Sequence, residues 1–492
     1  MTLEDKLDEE LKRQVLESGY TEKEYEQYEN EPRILEKMAE KINPDNFFYE
    51  DAKGRIHWNQ ERVFKELSKK YRFVKILGDK ALYYYCEGIW KENGEEVITM
   101  FLSEHLPEKF RSYYIGETAT YIRGRCLVNG GFDENKNLIC LENGVLDIEK
   151  RELMEWSPEY HLTVKLPIKY DPNAMCFNIE KFLSEIVSKD DVENVKEMFG
   201  YCLYRDMPIQ RSFMLVGDGA NGKSTLIKLF KAFLGKDNVV SISLQDLNRQ
   251  RFAASCLINK LANLYSDLPA YALKDTGFFK ISTGGDMISA EKKFGGRINF
   301  MNYAKYVFSC NKVPDVEDDT GAYFRRWVII NFPNKFEGTS DVKDLILSLT
   351  TEEELSGLLN AALNALQRLL ENGDFFSTKT TEETRDDYKR KANSVWAFAE
   401  DCLLSDPEGV LTKEETYSVY VEYCKKHNYP IKTNNVFARE LKKEVSPLAE
   451  GLETRGGRRV TVWRGIKTND ENSNVNLDKF VEDDIDARDI HT

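Results

Sequence analysis

The chain has 492 residues, 41% of them hydrophobic and 12% aromatic, an ordinary globular composition with room for about three domains. No apolar run reaches about 18 residues, which excludes a membrane-spanning helix, and the acidic start MTLEDKLDEELKR is the wrong chemistry for a signal peptide. The net charge of −15 argues at face value against a nucleic-acid protein, but residues 1–31 hold eleven acids and four bases, and residues 469–492 eight acids and two bases, leaving about −2 for the body between them.

The nine cysteines, from Cys86 to Cys424, form no C-x-x-C pair, and only five histidines accompany them. That pattern supports neither a zinc cluster nor a disulfide framework, and reads as small buried hydrophobes in a reducing compartment. The expectation is a soluble intracellular protein with no membrane partner.

In chain order, the acidic segment 1–31 contains Leu3, Leu7 and Leu11 at the spacing of a short amphipathic surface helix. Residues 32–206 predict an α+β domain, in which GVLDIEKRELMEW (144–156) is a hairpin turning near Glu149-Lys150 and 177–206 is helical. Over 207–340 the pattern becomes α/β. SFMLVG is a strand, 222–234 a helix, and LANLYSD (261–267), KYVFSC (305–310) and WVIINF (327–332) are buried-type strands, which predicts a mainly parallel sheet covered by helices. Residues 341–392 read as a helix over 350–372 and a polar linker over 373–392. In 393–468, Thr412 and Glu415 form a capping box that opens a helix over 413–427. Residues 469–492 predict an acidic disordered tail.

Within the α/β segment, MLVGDGANGKSTLIKLF carries Gly217-x-x-x-x-Gly222-Lys223-Ser224, the full Walker A pattern. The backbone of Gly217, Asp218, Gly219, Ala220, Asn221 and Gly222 can turn its N–H groups around phosphates. Lys223 can then reach the β- and γ-phosphates of ATP, and Ser224, beside Thr225, can ligate Mg2+. A chance match in such a chain is roughly a 2% event, and the strand before and helix after are the context the motif demands.

KLANLYSDLP ends a strand in Asp267, where a Walker B acid holds Mg2+ and orients water; an aspartate that only caps a turn is the alternative. KYVFSCN ends in Asn311, placed to sense a γ-phosphate. DDTGAYFRRWVIINF sets Arg325 and Arg326 just before a strand, out of easy reach of their own loop. They suit an arginine finger donated to a neighbour's ATP, which requires a ring or other oligomer; alone, such a pair would read as a solvated turn.

The order GDGANGKST, a single-acid Walker B strand, KISTGGD, SCNKVP and FRRW resembles the superfamily 3 helicases. More narrowly it is similar to the C-terminal helicase part of phage and plasmid primases and of the poxvirus primase-helicase. Upstream, LENGVLDIEKRELMEW and EMFGYCLYRD resemble that family's lead-in domain; downstream, SVWAFAEDCLL, NNVFARELKK and RGGRRVTVWRGIK resemble its winged-helix region. The likeness spans about residues 40–468.

The resemblance implies an AAA+-type P-loop core with a parallel sheet, a mixed α/β N-terminal domain and a C-terminal winged helix. It also implies a hexameric ring that threads single-stranded or forked DNA and moves 3′ to 5′ with ATP hydrolysis. Carried over, Gly217, Gly222, Lys223, Ser224 and Thr225 bind nucleotide, Asp267 is the Walker B acid, Asn311 the sensor, and Arg326 in preference to Arg325 the finger. The family's pore hairpin falls on GDMISAEKKFGGRINF, where Lys292, Lys293 and Arg297, with Phe294, suit a sequence-independent grip on DNA. In the wing, Arg455, Arg458, Arg459, Arg464 and Lys467 lie within thirteen residues without an acid and read as a phosphate-binding edge, with Trp463 in the core.

Two departures stand out. The lead-in domain starts near residue 40, and 32–150 shows no D-x-D/His set, so a separate primase is the expected source of priming. Ser266 stands where some helicases carry a second acid, which leaves the general base open. A ring that remodels origin DNA or loads another protein without unwinding is the alternative function. NVNLDKFV, with Asn474, Leu477 and Phe480, is a degenerate likeness of sliding-clamp-binding peptides and reads better as incidental tail sequence. A stand-alone small-molecule kinase would leave the hairpin, the arginine pair and the wing without a purpose.

Overall fold

The computed structural model describes residues 11–18, 20–27, 43–250, 252–271, 273–291, 296–336, 342–376, 378–427, 429–455 and 457–469. Leu3, Leu7 and the tail with Asn474, Leu477 and Phe480 lie outside them. The chain divides into two compact units, Met1–Tyr170 and Asp171–Thr492.

In the first unit, Asn59 caps the helix Gln60–Lys70 by accepting from the Arg62 N–H. Val63 and Leu67 sit one turn apart on its buried face and meet Ile98, Leu102, Ala119 and Ile122 from the helices Gly94–His105 and Ser112–Arg125. A four-stranded sheet, ordered Ile89–Lys91, Tyr83–Cys86, Phe73–Ile76, Leu127–Val128, lies in the same unit. The expected hairpin forms: Gly144–Asp147 pairs antiparallel with Glu152–Met154, and Leu138–Leu141 adds on the other side. A further two-stranded hairpin joins Phe48–Glu50 to Ile56–Trp58.

The elements of the second unit are numbered from its start. Helices α1 (Phe177–Ile186) and α2 (Lys189–Leu203) lead into β1 (Ser212–Val216) and α3 (Lys223–Leu234). Then come β2 (Val239–Val240), β3 (Ala262–Tyr265), α4 (Gly277–Gly284), the hairpin β4 (Met287–Glu291) with β5 (Arg297–Met301), β6 (Lys305–Cys310) and β7 (Trp327–Asn331). Five strands form one parallel sheet in the order β2-β3-β6-β1-β7. Their apolar runs are buried because helices cover both faces; Met214, Tyr306, Phe308 and Trp327 are within the core. The expected mixed α/β fold with a parallel sheet is therefore present.

The sheet also rearranges the domain boundary. A division near residue 206 was expected, but α1 and α2 pack with the second unit. The buried carboxylate of Glu197 on α2 accepts from Arg368 Nε at 3.0 Å on helix α5 (Glu352–Asn372) and from the Phe376 N–H at 2.7 Å. Residues 373–392 are likewise more than a linker. Thr380 and Glu383 form a capping box for α6 (Thr381–Ala392), and Thr384, Tyr388 and Ala392, one turn apart, are buried. With so few apolar residues among its charges, α6 has little local signature.

Helix α7 (Ser394–Cys402), β8 (Leu403–Thr412), α8 (Lys413–His427), α9 (Asn434–Glu444), β9 (Ala449–Arg455) and β10 (Arg458–Thr468) complete the chain. The strands form an antiparallel sheet, β8-β10-β9, whose buried face joins Trp463 and Ile466 to Phe398, Tyr420 and Phe437. The predicted capping box holds: the Thr412 N–H donates to Glu415 Oε2 at 3.2 Å, and the Glu415 N–H to Thr412 Oγ1 at 3.1 Å.

One buried charge ties the sheet to its lead-in. Lys305, fully enclosed at the start of β6, donates to the carbonyls of Tyr204, Asp206 (2.8 Å) and Tyr303 (2.9 Å), with the Tyr201 ring 4.4 Å away. Burial pushes its amine down to about 7 from 10.5. Between those values the unfolded chain holds a proton that the folded chain has released, so this group makes the fold more stable as pH rises. Unfolding midpoints at about pH 7 and about pH 9 should show the wild type gaining stability over Lys305→Met as pH increases; parallel pH profiles would refute the assignment.

Candidate functional site

The strand order creates the site. From β1 the chain crosses to the β2 edge, whereas from β6 it crosses to β7 on the other side, and such a switch point opens a crevice at the carboxyl ends of the strands. Val216 lies in register with Cys310 and Asn331, so the loop after β1 emerges beside Asn311. Tyr265 pairs with Phe308, and the Leu268 N–H donates to the Ser309 carbonyl at 2.7 Å, which brings Asp267 to the same edge.

Residues 217–222 wrap from β1 to the first turn of α3. Gly222 has φ +92° and no side chain to cap the helix, so the first N–H groups of α3 face outward without intrahelical acceptors. That end of the helix attracts anions. A Cβ on Gly222 would lie 2.5 Å from Ile186 Cγ2. Gly222→Ala should therefore destabilise the unit by about 2 kcal/mol and weaken nucleotide binding. Chemical denaturation with and without an ATP analogue would show both; an unchanged variant would remove the close-approach argument.

Lys223 is buried, and its Nζ donates to the Gly217 carbonyl, the Asp218 carbonyl (3.0 Å), Asn221 Oδ1 (3.1 Å) and Asn311 Oδ1 (3.3 Å). Burial lowers its affinity for its proton, while the charges of Asp218 and Asp267 act the other way. The ammonium's hydrogen-bond acceptors are neutral oxygens, so anionic oxygens at the same place would bind it better. Asn221 Nδ2 is buried with no partner, a second donor turned into the loop. Ser224, Asp267 and Asn311 are exposed at the crevice and Thr225 is buried beneath it. Among the described residues no group of three or more His, Cys, Asp or Glu is placed to hold a metal ion. A divalent cation here would thus rest on Ser224, Asp267 and the oxygens of a bound phosphate, a donor set that suits magnesium.

Support for the loop comes from a segment without a sequence signal. After β7, the Phe332 N–H donates to the Val216 carbonyl and the Phe336 N–H to the Ala220 carbonyl, both at 2.8 Å. Asn334 Nδ2 holds the Glu185 carbonyl at 2.7 Å. Beyond Asn311, the Pro314 carbonyl accepts from Tyr388 Oη on α6 at 2.9 Å.

The two arginines behave differently. Trp327 pairs with Ser212, at the opposite end of β1 from the loop, so the Arg325–Arg326 turn lies about 13 Å from it at ~3.3 Å per residue. Arg326 is buried: its Nε donates to Thr283 Oγ1 at 2.8 Å, its Nη2 to Gln210 Oε1 (3.3 Å) and the Lys280 carbonyl (3.2 Å), and its Nη1 to the Ala322 carbonyl. Its guanidinium is spent on hydrogen bonds within its own chain. Arg325 is exposed, and Arg211, paired with Asp374 at 2.5 Å, donates to its carbonyl.

Of the expected DNA contacts, Lys292, Lys293 and Phe294 lie outside the described residues. Arg297 is exposed at the β5 end of the hairpin, 3.6 Å from Glu291. Arg455, Arg458 and Arg459 gather at the β9–β10 turn. The basic run is less bare than its sequence: Arg455 lies near Glu415 and Glu453, Arg464 pairs with Glu453, and Lys467 with Asp406. These acids arrive from neighbouring elements. Trp463 is fully buried in the core.

Comparisons with known proteins follow this layout. Residues 36–188 match a family described as D5 N terminal like, 215–326 a family of unknown function, and 390–487 a family described as Poxvirus D5 protein-like. A protein of Acanthamoeba polyphaga mimivirus named as a putative helicase is 28% identical over 299 residues, 55% of this chain and 31% of the relative. A protein of the same description from Invertebrate iridescent virus 6 is 25% identical over 249 residues, 46% of this chain and 24% of the relative. The chain thus spans less than a third of these relatives' length. The apo C-terminal region of NrS-1 aligns over 82% of this chain and 97% of its own at 12% identity and a TM-score of 0.46. No described helix is long and apolar enough to cross a membrane. Families described as D5 N terminal like and Poxvirus D5 protein-like thus match on the two sides of the glycine-rich loop, and the viral relatives that the chain resembles are named as putative helicases.

Proposed function

We propose that this chain is an ATP-dependent DNA helicase that works as a hexameric ring in the replication of a virus or plasmid, moving 3′ to 5′ on one strand. The observation that carries the reading is the meeting of Lys223 with Asn311 beside Asp267 at the crevice, with an exposed arginine at the far end of the same sheet.

In this reading the loop amides of residues 217–222 and the start of α3 bind the phosphates of ATP. Lys223 neutralises the β- and γ-oxygens, and Thr225 supports the first turn. Ser224 and Asp267 hold Mg2+, which supplies charge neutralisation on the transferred phosphoryl group. Asn311 orients the attacking water or reads the γ-phosphate. The finger role goes to Arg325 rather than Arg326, because only Arg325 is free to reach a neighbouring subunit. The α7–β10 region is the winged helix, with Arg455, Arg458 and Arg459 on phosphates, and Arg297 with Lys292 and Lys293 forms the pore contact. Priming from a separate primase is a partner role consistent with this assignment.

Forked duplexes with a single 3′ or 5′ tail test it. Unwinding of the 3′-tailed fork with ATP is expected; DNA-stimulated ATPase without unwinding of either fork would replace the helicase with a remodelling or loading ring.

A further inference from the structure

The first unit contains a cleft of about 490 Å³ that the ATPase site does not use, lined among others by Phe48, Tyr49, Glu50, Lys109, Arg111 and Tyr114. Its volume is that of a small-molecule site. Two features give it a defined chemistry. The first is an open aromatic face. On the hairpin Phe48–Glu50/Ile56–Trp58, Tyr49 stands opposite His57, and their rings stack at 5.2 Å and 24°. Asp51 fixes His57 through Oδ2 and Nε2 at 3.0 Å, and Asp51 Oδ1 in turn accepts from the Lys53 and Arg55 N–H groups. One face of Tyr49 is thus backed by a held imidazole, while the residue remains 52% exposed. A planar ligand can stack on the other face without reorganising the hairpin.

The second feature is the balance of charge. Lys109 pairs with Asp45 at 2.6 Å and lies 5.9 Å from the Phe48 ring, while Arg111 Nη1 donates to the Phe110 carbonyl at 2.8 Å. Both cations are exposed, and such contacts exchange readily for an anion. Glu50 and Glu108 add carboxylates to the same lining. Two cations among three acids cannot form a track for many phosphates. The cations can serve one phosphate, and a carboxylate can accept from the amino group of one base.

We propose that this cleft binds a single nucleotide, with the base on the open face of Tyr49, its amino group toward Glu50 or Glu108, and its phosphate on Arg111 and Lys109. The ligand is either a free nucleotide or one residue of a single strand, and cytosine or adenine, which carry amino groups, are preferred over thymine. The site stands independently of the phosphate loop.

The test uses the full chain carrying Lys223→Ala, to silence the phosphate loop, with and without Tyr49→Ala or Arg111→Ala. Equilibrium dialysis with dCMP reads the free nucleotide. Anisotropy with oligo-dC and oligo-dT, combined with mapping of photo-cross-links from a 5-bromodeoxycytidine oligomer, reads the strand. About tenfold weaker binding is expected in Tyr49→Ala, with retention in Tyr49→Phe and loss of cross-links to residues 48–57. An effect confined to dCMP identifies a free nucleotide, and one confined to oligomers identifies a strand residue. Binding of both ligands that is absent, or indifferent to Tyr49 and Arg111, overturns the site. Tyr49→Ala in the otherwise wild-type chain leaves ATP hydrolysis in place, so failure here is separable from failure of the helicase reading.

Discussion

Lys223→Ala should abolish ATP hydrolysis while leaving the fold standing. The side chain donates into the loop, and its four acceptors come from Gly217, Asp218, Asn221 and Asn311. Removing a positioned group that stabilises charge developing on a phosphoryl oxygen costs about 10²- to 10³-fold in rate. The effect on stability has the opposite expectation. Burial already disfavours the charged form of Lys223, so deleting the ammonium removes a desolvation penalty along with its hydrogen bonds. Melting should stay near the wild-type value while ATPase, measured with and without single-stranded DNA, falls to background. Full DNA-stimulated hydrolysis in the variant would place the nucleotide elsewhere.

Arg325→Ala and Arg326→Ala should fail in different ways although they are neighbours. Arg325 is exposed and its carbonyl is anchored by Arg211, so its removal spares the fold. If it completes a neighbour's site, ATP binding persists while turnover drops by about 10³-fold. Mixing Arg325→Ala with Lys223→Ala subunits should then restore part of the activity, because some interfaces pair an intact loop with an intact arginine. Arg326→Ala instead strips the partners of Thr283, Gln210, Ala322 and Lys280 inside the unit. Breaking such a buried network costs about 3 kcal/mol, seen as melting lower by several degrees. Normal melting of Arg326→Ala with lost turnover would return the finger role to Arg326.

The contrast between these two arginines shows where sequence information stops. Both precede the same strand and carry the same charge, so nothing local separates them. What does is Thr283 and Gln210, which lie 43 and 116 residues away. The basic run in the wing is similar: no acid occurs in 455–467, yet Glu415, Glu453 and Asp406 come to Arg455, Arg464 and Lys467 across the sheet and from α8.

Other features were determined by the sequence alone. The glycine-rich turn at 217–222, its flanking strand and helix, the buried-type strands and the Thr412–Glu415 capping box follow from residues a few positions apart, because turn geometry, helix capping and side-chain periodicity are short-range physics. The tertiary structure decided the rest. It set the strand order that brings Asp267 and Asn311 beside a lysine 88 residues from its asparagine partner, docked α1 and α2 on α5 across the expected boundary, and turned the polar stretch 373–392 into a helix whose Tyr388 is wholly buried. Burial and ion pairing between distant segments depend on which surfaces the folded chain brings together, and no local stretch of residues carries that information.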